Sequence, residues 1–220
     1  MKNPLVIAID GPSGSGKSST ARGVAQRLGL SYLDTGSMYR AVTWAYLDAG
    51  IPDDDTDAIT ELTREADIEV GTNPASPQIW INGIRVTSLI REPRISAKAS
   101  VVATNLKIRA LLTEQMRAII EESSRKIVVE GRDITTVVWP DADVRVLLVA
   151  DSGARIARRH AELGESVDAA AVTDQVVRRD RDDSTVSEFH TPAPGVTLVD
   201  STDLSLDEVI DVIAKLAEDR

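Results

Sequence analysis

Residues 5–18 read LVIAIDGPSGSGKS, a short Val- and Ile-rich run ending at Asp10, followed by a glycine-rich octet. Such a run suits a strand covered on both faces of a parallel sheet. The octet, Gly11 through Ser18, satisfies the pattern G-x-x-x-x-G-K-[ST]. Beyond it, Ala21, Val24, Ala25 and Leu28 recur at helical spacing, and Gly29 stands where a C-terminal cap is expected. A glycine-rich turn can match such a pattern by chance. Placed between an apolar strand and an amphipathic helix, it is expected to cradle phosphate.

The chemistry follows from the residue types. Glycines let the backbone approach a ligand closely and turn successive N–H groups inward. The first turn of the helix adds unsatisfied N–H groups and the positive end of its dipole. Gly11, Pro12, Ser13, Gly14, Ser15, Gly16, Lys17, Ser18 and Ser19 are therefore the candidates to hold a nucleoside triphosphate. Lys17 is expected to reach the β- and γ-phosphates, and the Ser18 hydroxyl to take a place on Mg²⁺.

Outward from this loop the chain alternates between strand and helix patterns. Residues 30–33 read as a second strand, and a helix runs from Ser37 to Ala49. The acidic stretch Pro52 to Asp57 reads as a solvated surface; its spacing lacks the glycine and terminal glutamate of an EF-hand loop. Residues 68–90 change character: IEV, QIWING and RVTSLI are short strand patterns separated by turn residues, with a hairpin signal at Asn82-Gly83. From Arg94 to Glu122 the pattern is helical again. Strands follow at 127–129 and 144–149, then an arginine-rich helical region to about Asp183, a strand at 196–199 and a last amphipathic helix.

This alternation predicts an α/β fold: a parallel five-stranded sheet of the P-loop NTPase type, flanked by helices, with a small antiparallel β insertion and a helical lid. Ligands of such sheets collect at the carboxyl ends of the strands. The polar motifs lie there, after Ile9, Leu33 and Glu130, so one cleft can gather them.

Composition narrows the partners. The 220 residues carry a formal net charge of −10, which disfavours broad nucleic-acid binding. With no cysteine and two histidines, disulfides and tight transition-metal sites are excluded. No apolar window is long enough to span a membrane, and the N-terminus lacks a signal-peptide pattern. A cytoplasmic location is expected. No feature demands an oligomer, so a monomer is expected as well.

A P-loop alone does not separate kinase, switch, motor and transport ATPase. No N-K-x-D base-reading motif is present, and the chain is short for a motor; a small-molecule kinase fits best. Four polar groups are candidates for its acceptor side. Asp34 to Arg40 (DTGSMYR) offers Thr35, Tyr39 and Arg40 beside the P-loop. Read alone, these residues serve equally as a helix cap with Tyr39 in the core and Arg40 in solvent. Glu130-Gly-Arg132-Asp133 follows a core strand and reads equally as a polar turn. Ser100 and Arg109 lie on the preceding helical stretch, where a solvated face is the alternative. Residues 178–183, RRDRDD, preceded by Arg155, Arg158 and Arg159, could be mere i,i+4 salt bridging. Phosphoryl transfer, however, calls for arginines that clamp two phosphate groups.

Together these segments resemble bacterial cytidylate kinases across nearly the whole chain. The opening IDGPSGSGKSS, then YLDTGSMYR, EGRDITTVVWPDA, RRDRDDS and DSTDLSLDEVI occur in that family's order. The resemblance implies transfer of the γ-phosphoryl group of MgATP to CMP or dCMP in pyrimidine nucleotide metabolism. It implies a core domain at 1–36 and 101–220 with a lid at about 153–185. A nucleoside-monophosphate-binding domain would span 37–100, with its insertion at about 68–90. Ser100, Arg109 and Asp133 would face the cytosine. Arg40 and Arg132 would hold the acceptor phosphate, with Arg179 bridging toward the transferred group; Lys17, Arg132 and Arg179 would be the catalytic cations. Tyr39 and Asp183 would contact the sugar region, and Arg158 and Arg159 would meet ATP. One position departs from the family: Val186 stands where another arginine is usual. A neighbouring cation would have to substitute, or binding would lean on Arg40, Arg132 and Arg179. Acceptors such as UMP or shikimate, or a module that merely senses ATP, remain the alternatives on the residues alone.

Overall fold

The structure, a computed structural model, describes residues 4–163, 173, 177–178 and 180–220. The apolar run after the N-terminus forms β1 (Leu5–Asp10), and the glycine-rich loop opens α1 (Lys17–Leu28). Then come β2 (Ser31–Asp34), α2 (Thr35–Asp48) and α3 (Thr56–Glu65). The insertion holds β3 (Ile68–Gly71), β4 (Gln78–Ile81) and β5 (Ile84–Arg85). It leads through a 3₁₀ turn, Leu89–Arg91, into α4 (Pro93–Ala103) and α5 (Leu106–Glu122). The rest is β6 (Lys126–Gly131), a π-type turn at Ile134–Val138, β7 (Val144–Val149), α6 (Ser152–Leu163), β8 (Thr197–Asp200) and α7 (Leu206–Glu218).

Five strands form one parallel sheet in the order β2-β6-β1-β7-β8. Alternation along β1 explains why both faces are covered. Val6 and Ala8 point to a core shared with α2, α4 and α5. Ile7 and Ile9 point to a second core under α1 and α7. Each fully buried Val, Leu or Ile contributes about 1.5–3 kcal/mol, so the strands are held from both sides. The insertion is an antiparallel sheet, β3-β4-β5, and its Ile79 and Ile81 join the first core. Its hairpin turns at Asn82 and Gly83, both at positive φ (51° and 75°), as a tight primed turn requires.

Three local expectations need correction. The helical stretch 94–122 is two helices, because the Asn105 side chain accepts from the N–H groups of Lys107 and Ile108 (3.0 and 3.3 Å) and starts α5 afresh. RVTSLI is not a strand beyond Arg85. The Thr87 hydroxyl accepts from Ile79 N–H (3.0 Å), takes the place of a ladder partner and lets the chain turn. The acidic stretch is not merely solvated. Asp55 caps the unforeseen α3 by accepting from Ala58 N–H (3.0 Å), and Asp53 accepts from Tyr46 Oη (3.0 Å) and pairs with Lys98. The lid expected at about 153–185 falls partly outside the described residues, and Arg179 lies there.

Candidate active site

At the carboxyl ends of β1, β2 and β6, a cavity of about 450 Å³ opens between the sheet, α1, α2 and the insertion. The P-loop forms its floor. Ser13, Gly14, Gly16, Lys17, Ser18 and Ser19 line it, whereas Gly11, Pro12 and Ser15 stand behind. Gly14 has φ +76°, and a Cβ there would come 2.4 Å from the Arg155 carbonyl oxygen, so only glycine fits. Lys17 Nζ donates to the Pro12 carbonyl (3.0 Å), which arches the lysine over its own loop.

The outer side of the loop is braced by arginines. Arg132 donates to Gly11 O, Arg155 to Ser13 O (3.0 Å) and Arg158 to Ser15 O (3.4 Å). These contacts hold the carbonyls of Gly11, Ser13 and Ser15 from outside the loop. Asp180 completes the brace: its carboxylate accepts from Ser13 N–H (2.9 Å) and pairs with Arg155 and Arg132. Arg158 also donates twice to Ser201, to Oγ (2.9 Å) and O (2.6 Å). It is therefore a support of the loop, while its neighbour Arg159 lines the cavity.

Two buried carboxyls face Ser18 and Lys17 from strand ends. The Tyr32 phenol donates to Glu130 (3.1 Å), and the Ser18 hydroxyl lies close to the same carboxyl. Burial, reinforced by the nearby Asp34 charge, pushes the Glu130 carboxyl up. Burial would raise Asp34 too, but Arg40, Arg91 and Lys17 outweigh it and hold that carboxyl below its usual range. The surroundings thus favour negative charge on Asp34 over Glu130. It also caps α2, accepting from Ser37 N–H (3.0 Å). Glycine at 131 is required for close packing here, since a Cβ would meet Thr35 Oγ1 at 2.6 Å. Thr35 in turn donates to Glu130 O (2.8 Å).

On the opposite wall, Arg109 pairs with Asp133 and donates to Ser187 Oγ (2.9 Å) and Ala103 O (2.8 Å). Its guanidinium carbon stands 5.7 Å from the centre of the Tyr39 ring. Burial pushes the Tyr39 phenol up to about 12, so it remains a hydrogen-bond donor. Arg40 is buried against Asp34 (3.2 Å). Arg132 pairs with Asp183 (2.9 Å) and lies 4.8 Å from the Phe189 ring centre. Arg40, Tyr39, Thr35, Arg109, Arg132, Asp133 and Asp183 are thus brought together, as the sequence suggested. Ser100 is not; α4 presents Ala99 and Ala103 instead. Ser187 and Arg91 were not singled out from the sequence, and Glu130 and Asp180 appeared there only within the EGRD and RRDRDD groups, without roles of their own.

Asp10, at the end of β1, is also new. It accepts from the N–H groups of Ile134 and Thr135 (both 2.8 Å) and from Thr135 Oγ1 (2.6 Å). This ties the P-loop strand to the turn that carries Arg132 and Asp133. Desolvation pushes its carboxyl up to about 6, against the pull of those three donors.

A P-loop and an arginine-lined second compartment define a kinase-like cleft. The sequence model of the cytidylate kinase family matches residues 7–219. The chain belongs to that family. A cytidylate kinase of Cutibacterium acnes is 58% identical over 215 residues, covering 97% of this chain and 96% of that one. That of Nocardia farcinica is 44% identical over 218 residues, covering 97% and 93%. A bifunctional pantoate ligase/cytidylate kinase of Synechococcus sp. (strain JA-3-3Ab) is 42% identical; the match covers 98% of this chain and 41% of that protein. A solved structure of an uncharacterized protein from Eubacterium ventriosum superposes with a TM-score of 0.54 at 14% identity, covering 98% and 99%, a likeness of fold alone. Cytidylate kinases are nucleoside monophosphate kinases, which makes this chain a phosphotransferase with ATP as phosphate donor. Among the described residues, no helix is long and apolar enough to cross a membrane.

Proposed function

We propose that this cleft binds MgATP on the P-loop and CMP or dCMP against the Arg109–Asp133 wall, and transfers the γ-phosphoryl group directly between them. The observation that carries this reading is the Arg109–Asp133–Ser187 cluster beside Tyr39, facing the P-loop across one cavity. A carboxylate accepts from the exocyclic N4 amine of cytosine, and a guanidinium donates toward O2 or N3. Uracil offers a carbonyl and an N–H at those edges and would leave buried polar groups unpaired. Ser187, bonded to Arg109 (2.9 Å), lines this wall, whereas Ser100, expected to face the cytosine, does not line the cavity.

The acceptor phosphate is already nucleophilic, so no strong general base is needed. Positioning and charge stabilisation suffice, from Lys17, the P-loop N–H groups and the arginines. The residues fit Mg²⁺. Ser18 supplies a hydroxyl and Glu130 and Asp34 supply carboxyl oxygens nearby, while no tight cluster of three or more His, Asp or Glu exists among the described residues. That donor set suits an ion that keeps several waters and takes oxygens from the substrate's phosphates. Bound there, Mg²⁺ would neutralise charge on the transferring phosphates. Arg179 as the bridging cation, residues 37–100 as the acceptor-binding half, a monomeric state and a cytoplasmic location belong to the same reading. Arg158 acts within it as a positioning residue behind the loop.

The test is an ATP-dependent transfer assay with Mg²⁺ against CMP, dCMP, UMP, AMP and GMP, with nucleoside diphosphate measured directly. Turnover of CMP or dCMP with UMP far behind is expected. A preference for another nucleotide would keep the kinase and overturn the base assignment.

A further inference from the structure

We infer that Arg91 is a ligand of the acceptor's phosphate, gripping it together with Arg40 from the insertion side of the cavity. The inference rests on the proposed acceptor site and adds to it a cation that the sequence reading did not contain.

The backbone places Arg91 firmly. Thr87 is tied to Ile79 (3.0 Å), Ile90 is 1% exposed, and Arg91 N–H donates to Ser88 O (3.1 Å) just before Pro93 opens α4. Its side chain, by contrast, is 58% exposed and lines the cavity. It makes one long contact, 3.4 Å to Asp34 Oδ2. The same oxygen receives Arg40 at 3.2 Å, while Asp34 Oδ1 is taken by Ser37 N–H.

One carboxylate therefore faces two guanidiniums with Lys17 close by, a local excess of positive charge. The other carboxyl nearby, Glu130, is engaged by the Tyr32 phenol (3.1 Å). Arg40 Nε is buried with no hydrogen-bond partner among the described residues, whereas buried donors are as a rule hydrogen-bonded. Guanidinium donors in this arrangement match the oxygens of a phosphate monoester.

The other cavity arginines are more heavily engaged. Arg132 is shared among Asp183, Asp180 and Gly11 O. Arg109 is shared among Asp133, Ser187 and Ala103 O. Position 186 is a valine and brings no charge from the lid side. The Arg40–Arg91 face is thus where unsatisfied donors remain for a doubly charged phosphate.

The experiment measures KM for CMP and for ATP, with kcat, in wild type, Arg91→Met and Arg91→Lys, alongside thermal melting. Loss of a charge-assisted contact predicts a rise of roughly 10- to 100-fold in the CMP KM of Arg91→Met, with the ATP KM within about twofold. Arg91→Lys keeps the charge without the fork and is expected to fall between. If Arg91→Met does not fold, Arg91→Lys alone must still raise the CMP KM selectively. An unchanged CMP KM overturns the inference, as does a parallel rise in both KM values, which would mark a purely architectural role. Failure of the wild type itself to use CMP would instead overturn the acceptor assignment on which the inference stands.

Discussion

The donor half and the acceptor half of this cleft are built in opposite ways. The donor half is one unbroken loop, Gly11 to Ser19, whose binding groups are mostly backbone N–H. The acceptor half is side chains drawn from α2, the 3₁₀ turn after β5, α5, the end of β6 and the segment reaching Ser187. A backbone cradle needs glycines and a helix start. A side-chain compartment needs several elements held in register, and its charges must be balanced before a ligand arrives. Asp34, Asp133, Asp180 and Asp183 provide that balance for Arg40, Arg109, Arg132 and Arg155.

Substitutions in the two halves should therefore fail differently. The largest effect is expected on the donor side. Lys17→Ala should lower kcat by about 100- to 1,000-fold or more while CMP binding is little changed, since it removes charge stabilisation where the phosphoryl group moves. Near-normal turnover in a steady-state assay would break the distinction.

A smaller effect is expected at the joint between the halves. Asp10→Asn replaces one acceptor oxygen by an amine facing buried N–H groups, at a cost of about 1–3 kcal/mol of stability. The sign of its pH dependence follows from the raised carboxyl, at about 6 when folded against 3.8 otherwise. Between those values the folded state holds the extra proton, so Asp10's contribution is complete below about 4 and is lost as pH rises through about 6. Denaturant melts at several pH values should show that component vanish in Asp10→Asn; an unchanged profile would argue against a titrating Asp10.

The same contrast explains what could be read from the chain alone. The P-loop and the sheet were legible because their signals are local: an apolar run, glycines at fixed spacing, a helical stripe. The GRD segment and DTGSMYR were legible as polar groups at strand ends. Asp10 looked like the end of a strand because its partners, Ile134 and Thr135, lie more than a hundred residues away. Asp180 was hidden in RRDRDD, where a brace on Ser13 N–H and a solvated salt bridge look alike. Ser100 does not line the cavity because α4 turns Ala99 and Ala103 toward it, and Ser187 escaped notice because its partner Arg109 lies 78 residues away. Helix α3 was missed because its cap, Asp55, stood in a run of acidic residues that reads as loop.

On the proposed reading, the Arg109–Asp133 wall reads cytosine. The most direct measurement is kcat/KM for CMP and for UMP in wild type and in Asp133→Ala. Loss of the carboxylate should lower the CMP value by about 10- to 100-fold and leave the UMP value much less affected, so that the preference collapses. Equal losses with both nucleotides would contradict base reading by Asp133 and reduce that wall to structural support.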